Sequence, residues 1–406
     1  MTATLDLAFR AASGRIIAAL AARFRNLDLA EEAFGEACAR AVIAWAEQPA
    51  RDPAAWLYRV AERTALDQLR RAETRATACP PPPEPEPDAE ELLMADDRLI
   101  PDERLRLIFI CCHPAIHADA RAALTLRLVC GLSTGEIARA FLIAEPTLAQ
   151  RLVRTKRKIA DAGVPFAVPG PDAWPERLDA VLSTLEVAYA HAHADGGGTG
   201  RHAGYAAEML DITAVLARML PREPEVIALA ATVRFAEARR PARIDAAGMM
   251  VPLAEQDPAD WDAALIGEAR TMLAEALRLG PPGARALQAL LHAEWCLRAS
   301  LATPPPWPSL LTIYDALLAL RDDAVIRLNR AVALAEVHGP EQALEAVDAL
   351  DLPGLAAFLP YQAVRADLLA RLGLRKAAVE AYDAALALDP EATERRWLER
   401  QRANMA

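Results

Sequence analysis

The sequence has no run of about 18 uncharged apolar residues, so it offers no membrane-spanning helix. Its first residues lack a basic stretch followed by an apolar core, since Asp6 and Arg10 flank only a few apolar positions. That pattern predicts a cytoplasmic protein and no membrane partner. Aromatic residues are scarce, 5% of 406 against 53% hydrophobic overall, with Ala and Leu prominent. Helices packed through small aliphatic side chains are expected, so the predicted fold class is all-α. The six cysteines form no C-x-x-C pair, which argues against a disulfide framework. No P-loop, glycine-rich dinucleotide turn, H-E-x-x-H or nucleophile elbow occurs, so the sequence predicts no enzyme and implies no cofactor.

Cys111-Cys112-His113 with His117 brings soft donors together. Adjacent cysteines cannot easily both face one ion, and no second cluster completes a tetrahedron. The expectation is a buried cysteine pair in the apolar run LIFICCHPAI, with no metal.

Charge is uneven. The formal net charge is -11, yet residues 104–165 carry ten Lys and Arg against four Asp and Glu. Residues 80–103 hold one Arg and nine acids, and residues 166–406 hold 23 basic and 33 acidic residues. Positive charge therefore belongs to one small module, and it is densest between Arg151 and Lys158, where five of eight residues are cationic. An acidic chain that concentrates cations on one short helix points to a polyanion, DNA first.

Apolar spacing predicts a helical domain over residues 1–75, ending in a strong helix from Ala54 to about Arg71. Residues 76–103, with the tract CPPPPEPEPD, read as an acidic, proline-rich linker. Residues 104–165 form a second domain. There Gly131 stops one helix, Ser133-Thr134-Gly135-Glu136 fits a capping box for the next, and Pro146 suits the first turn of a third. Beyond it the reading gives a helical middle domain over 170–300. A helical-repeat domain over 305–406 follows, where Ala331, Ala343, Val347 and Leu350 recur 35 residues later as Ala366, Ala378, Tyr382 and Ala385. Small residues at that period match tetratricopeptide-type hairpins. Residues 245–248 are a candidate hairpin or loop, and His191 and His193 are expected in a loop.

The segment 131–159 reads as a helix-turn-helix, whose second helix enters the major groove. Its inward positions are Leu148, Leu152, Thr155 and Ile159. Thr147, Gln150 and Arg151 lie at the end that meets base edges, where Gln pairs with adenine and Arg with guanine. Arg154, Lys156, Arg157 and Lys158 lie further along, suited to phosphates. In the first domain, Trp56 and Tyr58 stand beside Arg59 in the helix that also carries Arg63, Arg70 and Arg71. Aromatics next to cations can stack on unpaired bases, although Trp56 by helical spacing alone also suits the core.

The segments LAEEAFGEACARA, PAAWLYRVAERTALDQLRR and the helix-turn-helix resemble regions 2 and 4 of an extracytoplasmic-function (ECF) RNA polymerase sigma factor. RLRLIFICCHPAIHADARAALTLRLVCGLS and the long helical extension are similar to the group of these factors numbered 42. The resemblance implies that Glu31, Glu32, Glu36 and Arg40 dock on the beta-prime clamp helices of core RNA polymerase, and that region 4 meets the beta flap. It implies that Trp56, Tyr58, Arg59, Arg63, Arg70 and Arg71 serve the -10 element, with a stacking pocket in the loop 47–53. The basic helix would then read the -35 element. Gly35 stands where typical members carry Gln.

The implied elements lie about 25 bp apart, roughly 85 Å at ~3.4 Å per base pair. A polyproline-type linker of about 28 residues at ~3.1 Å each reaches a similar distance. Two other functions compete: a helix-turn-helix regulator with a tetratricopeptide sensor domain, and a tetratricopeptide scaffold. Two DNA-reading blocks joined by a tether favour the sigma factor. An unidentified protein or ligand would meet the repeats.

Overall fold

The computed structural model describes residues 2–47, 50–76, 103–113, 116–129, 132–141, 143–161, 174–194, 203–350 and 354–405. The fold is all-α. Among the described residues the sole β feature is an isolated bridge between Ile244 and Met250. The linker 77–102, Cys79, Cys130, part of the loop 47–53 and the glycine-rich 195–200 lie outside the described residues.

The chain forms two compact bodies. The first comprises Met1–Ala192 with Ala207–Val215, and the second comprises His193–Ala206 with Leu216–Ala406.

In the first body, α1 (Thr2–Phe24), α2 (Leu27–Glu47) and α3 (Pro53–Ala76) pack on one another. The side chain of Asn26 accepts from Leu29 N at 3.0 Å and so opens α2. Asp52 does the same for α3 through Ala55 N at 3.0 Å, with Pro53 at the first helical position. The small residues Ala30, Ala33, Ala37 and Ala41 are fully buried on α2, which lets its neighbours approach closely.

α4 (Glu103–Cys111) is buried on every side: Leu105, Leu107, Ile108, Phe109, Ile110, Cys111 and Cys112 all lie in the core. It packs on α1 and on α5 (Ala118–Leu128). Then come α6 (Thr134–Ala140), opened at Ser133, and α7 (Glu145–Asp161). The inward stripe of α7 is Leu148, Leu152, Thr155 and Ile159, all buried, and the Thr155 hydroxyl donates to Arg151 O at 2.7 Å.

The same body continues past residue 165. In α8 (Trp174–Ala194), Trp174 packs on Phe109 with ring centroids 5.6 Å apart, Arg177 donates to Phe109 O, and Thr184 lies 3.6 Å from the Cys112 sulfur. Phe109 and Cys112 are thus the floor on which α8 sits. α8 also runs through His191 and His193, which the sequence pattern placed in a loop; an Ala-rich stretch carries the helix past them.

The second body is a succession of helices from α10 (Pro224–Ala238) to α18 (Ala392–Ala403), after α9 (Ala203–Met219). Of the positions that recur at 35 residues, Ala331, Ala343 and Val347 are buried, as are Ala366, Ala378, Tyr382 and Ala385, while Leu350 is half-buried against the same core. Their helices pair as α14 (Ala324–His338) with α15 (Pro340–Asp348) and α16 (Leu359–Arg371) with α17 (Arg375–Ala387). Arg371 bridges the two pairs by donating to Glu336 at 2.7 Å. At its far end, α18 is tied back to an early turn of the same body. Arg396 donates to the Ala247 and Gly248 carbonyls, and Met250 N donates to Thr393 O. The turn itself is held by Asp245, which accepts from Ala247 N and Met249 N, with Gly248 at φ +74°.

Candidate nucleic-acid interface

Two cationic helix faces are presented by the first body. On α7, Thr147, Gln150, Arg151, Arg154, Arg157 and Lys158 are all exposed. At ~100° per residue, Thr147, Arg151, Arg154 and Lys158 fall within about 60° of one another, and Gln150 and Arg157 extend that face to one side. This is the solvent side opposite the Leu148–Leu152–Ile159 stripe. Val153, an apolar residue that is 64% exposed, borders it. A helix of this geometry can lay its N-terminal half in a groove while the cations further along meet phosphates.

Lys156 does not share that face. It lies about 180° from Thr147 on the helix, and its Nζ donates to Asp28 Oδ1 at 2.7 Å and to Glu31 Oε2 at 2.9 Å. Burial pulls its pKa down, but the two carboxylates outweigh burial and hold it above the usual lysine value. Lys156 is therefore committed to an intramolecular contact with α2.

On α3, Arg59, Arg63 and Arg70 recur within about 40° of one another, and Arg71 flanks them on the far side of Trp56. All four are exposed. Arg59 donates back to Ala55 O, and Arg70 lies 3.9 Å from Asp67. Trp56 is half-buried in line with the arginines, edge-on to Trp45 of α2 with centroids 5.3 Å apart. Tyr58 is about 160° round the helix from Trp56, so the two aromatics do not share a surface.

The α2 residues divide in the same way. Glu32, Glu36 and Arg40 lie on one stripe with Gly35 and Ile43, and Arg40 donates to Glu36 at 3.0 Å. Glu31 turns aside. Its two oxygens accept from Arg127 Nε at 3.1 Å and from Lys156, while Arg127 also donates to Leu132 O. A cavity of about 510 Å³ opens beside these pairs, with Ser13, Phe34, Gly35 and Cys38 in its wall. A Cβ on Gly35 would meet nothing within 4 Å, so the missing side chain leaves open space.

Sequence reasoning named Glu31 and Lys156 but not their mutual contact, and it missed Trp45, Asp28 and Arg127 altogether. Asp28 and Glu31, one helical turn apart, were the available signal for a cation between them. Arg127 left none, because only the tertiary fold brings it to α2.

Comparison with known proteins assigns families to these modules. Residues 9–75 match the family described as Sigma-70 region 2, and residues 106–159 match Sigma-70, region 4. Residues 177–277 match a family of unknown function, DUF6596. Over its whole length the chain is 39% identical to an uncharacterized protein of Rhizobium meliloti (strain 1021), of which it covers 96%.

Proposed function

We propose, from the premise that this chain belongs to the sigma-70 family of RNA polymerase sigma factors, that it is an ECF-type factor of the group numbered 42. Binding of core RNA polymerase and of promoter DNA follows from the family. The finer reading divides the work between two helices. The α7 face, with Thr147, Gln150 and Arg151 foremost, reads a -35 duplex. The α3 face, with Trp56 and the arginines 59, 63, 70 and 71, serves the -10 element.

The observation that carries this division is the presence of two exposed cationic helix faces in separately matched modules, joined by 26 residues that fall outside both described domains and are rich in Pro and acid. A regulator that reads one duplex site needs only one such face. Glu32, Glu36, Arg40 and the exposed Ile43 supply a mixed polar and apolar stripe suited to a helical partner, here assigned to the polymerase clamp. Small buried residues at a 35-residue period support tetratricopeptide-like repeats in the second body, with regulation of initiation as their role.

Transcription on a two-element template tests the reading. Full-length protein with core polymerase should start transcripts where core alone does not. Absence of both co-purification with core and specific initiation would sink it.

A further inference from the structure

We infer that the cavity walled by α1, α2, α5 and α7 is a binding site for a small zwitterion, a free amino acid with an apolar side chain.

The space is of the right size and is set by packing. It holds about 510 Å³, within the ~300–1,000 Å³ of small-molecule sites. Gly14 of α1 stands against the end of α5, where a Cβ would come 2.0 Å from the Val129 carbonyl oxygen. The opposing atom is backbone and cannot rotate away, so position 14 must be glycine for α1 to come this close. On α2, a Cβ at Gly35 would meet nothing within 4 Å, which leaves that side of the cavity open.

The wall is divided by chemistry. Ile17 and Phe34 supply buried apolar surface. Cys38 joins them as a neutral thiol, since burial pushes it up to about 12. The rest is charged, with Asp28, Glu31 and Glu32 beside Arg127 and Lys156. Glu31 accepts from both cations, one at each oxygen, and Asp28 Oδ1 accepts from Lys156. Arg127 uses Nε on Glu31 and Nη1 on Leu132 O. Among the described residues, this leaves open functions of each sign. Arg127 Nη2 and the third Nζ hydrogen of Lys156 can donate, and Asp28 Oδ2 and the exposed Glu32 carboxylate can accept.

That inventory selects the ligand. Three carboxylates against two cations make the wall net negative, so a simple anion meets more repulsion than attraction. A simple amine leaves the donors of Arg127 and Lys156 unused. An α-amino acid carries a carboxylate for those donors and, on the same carbon, an ammonium for Asp28 and Glu32. Its side chain is then left for Ile17 and Phe34, where removing apolar surface from water adds affinity.

Glu32 and Gly35 also lie on the α2 stripe assigned to the polymerase clamp, so an occupied cavity competes with core polymerase. This consequence, unlike the site itself, rests on the proposed docking role of α2.

Calorimetric titration of the full chain with L-leucine and L-phenylalanine tests the site, and saturable binding is expected. Isocaproate and isoamylamine, which are leucine without its ammonium or its carboxylate, should each bind about tenfold more weakly. Glycine, which lacks the apolar side chain, should do the same. Glu32→Gln removes an acceptor and Gly35→Gln fills the open space; each should weaken leucine binding at least fivefold. Both positions are exposed on a helix, so these variants fold. No saturable binding up to about 10 mM, tenfold above a ~1 mM dissociation constant, overturns the site. Equal binding of leucine and isoamylamine overturns the zwitterion as its ligand. Undiminished binding to both variants places the ligand elsewhere and overturns the cavity. Leucine at ten times its dissociation constant should lower apparent core affinity about elevenfold. Leucine binding without that loss overturns the competition alone. A chain that binds leucine but never binds core removes the docking role of α2 and leaves the site standing.

Discussion

Trp56 stands edge-on to Trp45, ring centroids 5.3 Å apart and planes at 65°, so the aromatic at the head of the cationic α3 face is anchored by α2. An edge-to-face pair of this kind contributes about 0.5–1.5 kcal/mol beyond its buried area. The ring is both a structural contact of region 2 and, in the proposed function, a surface offered to unpaired bases.

Trp56→Ala should therefore lower the thermal midpoint of the protein and impair initiation on duplex templates. Pre-melted templates should restore part of the initiation. Equal loss on duplex and pre-melted templates would show that the substitution acts only through the Trp45 contact and not on strand opening.

Arg151 and Arg154 separate base reading from phosphate contact on α7. With a duplex selected by the holoenzyme, Arg154→Ala should weaken all sequences alike and reduce the salt slope of log K by about 0.9, one phosphate's worth. Arg151→Ala should cost about 1–3 kcal/mol on the preferred site and relax its sequence preference. Binding isotherms over a salt series distinguish the two, and identical behaviour would refute the split.

Gly35 is an unfilled position on α2. Nothing lies within 4 Å of where a Cβ would stand, so Gly35→Ala should stabilise the helix by up to ~1 kcal/mol without a clash. Gly35→Gln should, in addition, tighten core binding by supplying the polar group that typical ECF factors carry. Denaturant melts read the first effect and core titration the second; a destabilised Gly35→Ala would contradict the open space.

Two glycines of the second body should respond in opposite ways. Gly248 has φ +74° and a Cβ there would meet the Arg396 guanidinium, so Gly248→Ala should cost about 1–2 kcal/mol and loosen the tie between α18 and the 245–250 turn. Gly267 sits inside α11 (Ala263–Leu279) with nothing near it, and Gly267→Ala should stabilise by about 0.8–1 kcal/mol. Unfolding curves of the two variants should move to opposite sides of the wild type.

Alkaline pH should destabilise the first body through the half-buried Cys38 and the buried Cys112. Burial pushes Cys38 from 9.0 up to about 12. It likewise pushes Cys112 up to about 11, against smaller lowering contributions from Thr184 and nearby arginines. Folded values above the unfolded value mean that this stability is intact below pH 9 and is lost as pH rises through 11 to 12. Cys38→Ala should flatten the decline measured by denaturant melts between about pH 8 and 11. Cys112 should resist alkylation at about pH 8 in the folded protein and react once unfolded.

Much of region 4 was legible because its signals are local. A capping residue at Ser133, a proline in the first turn of α7 and an apolar stripe at helical spacing each act over a few residues, and α7 runs Glu145–Asp161 around the expected 146–158. The buried cysteine pair was legible for the same reason, since the run around it has no polar face to expose. The reach of the first body past residue 165 was not. The break at 162–173 looks like a boundary in composition, yet Trp174 and Thr184 return to Phe109 and Cys112. His191 and His193 were misplaced because the glycine-rich stretch after them suggested an earlier helix end.

The sequence by itself determined that the chain is helical, where its cations concentrate, and which residues of α3 and α7 face solvent. These follow from periodicity and charge, which are written along the chain. Tertiary structure alone decided that Lys156 leaves the cationic face for Glu31, that Arg127 joins it from another helix, and that Gly14 must be glycine. Those facts depend on which helices approach one another and how closely. That approach is set by packing between segments 96 to 128 residues apart, for which a local pattern carries no signal.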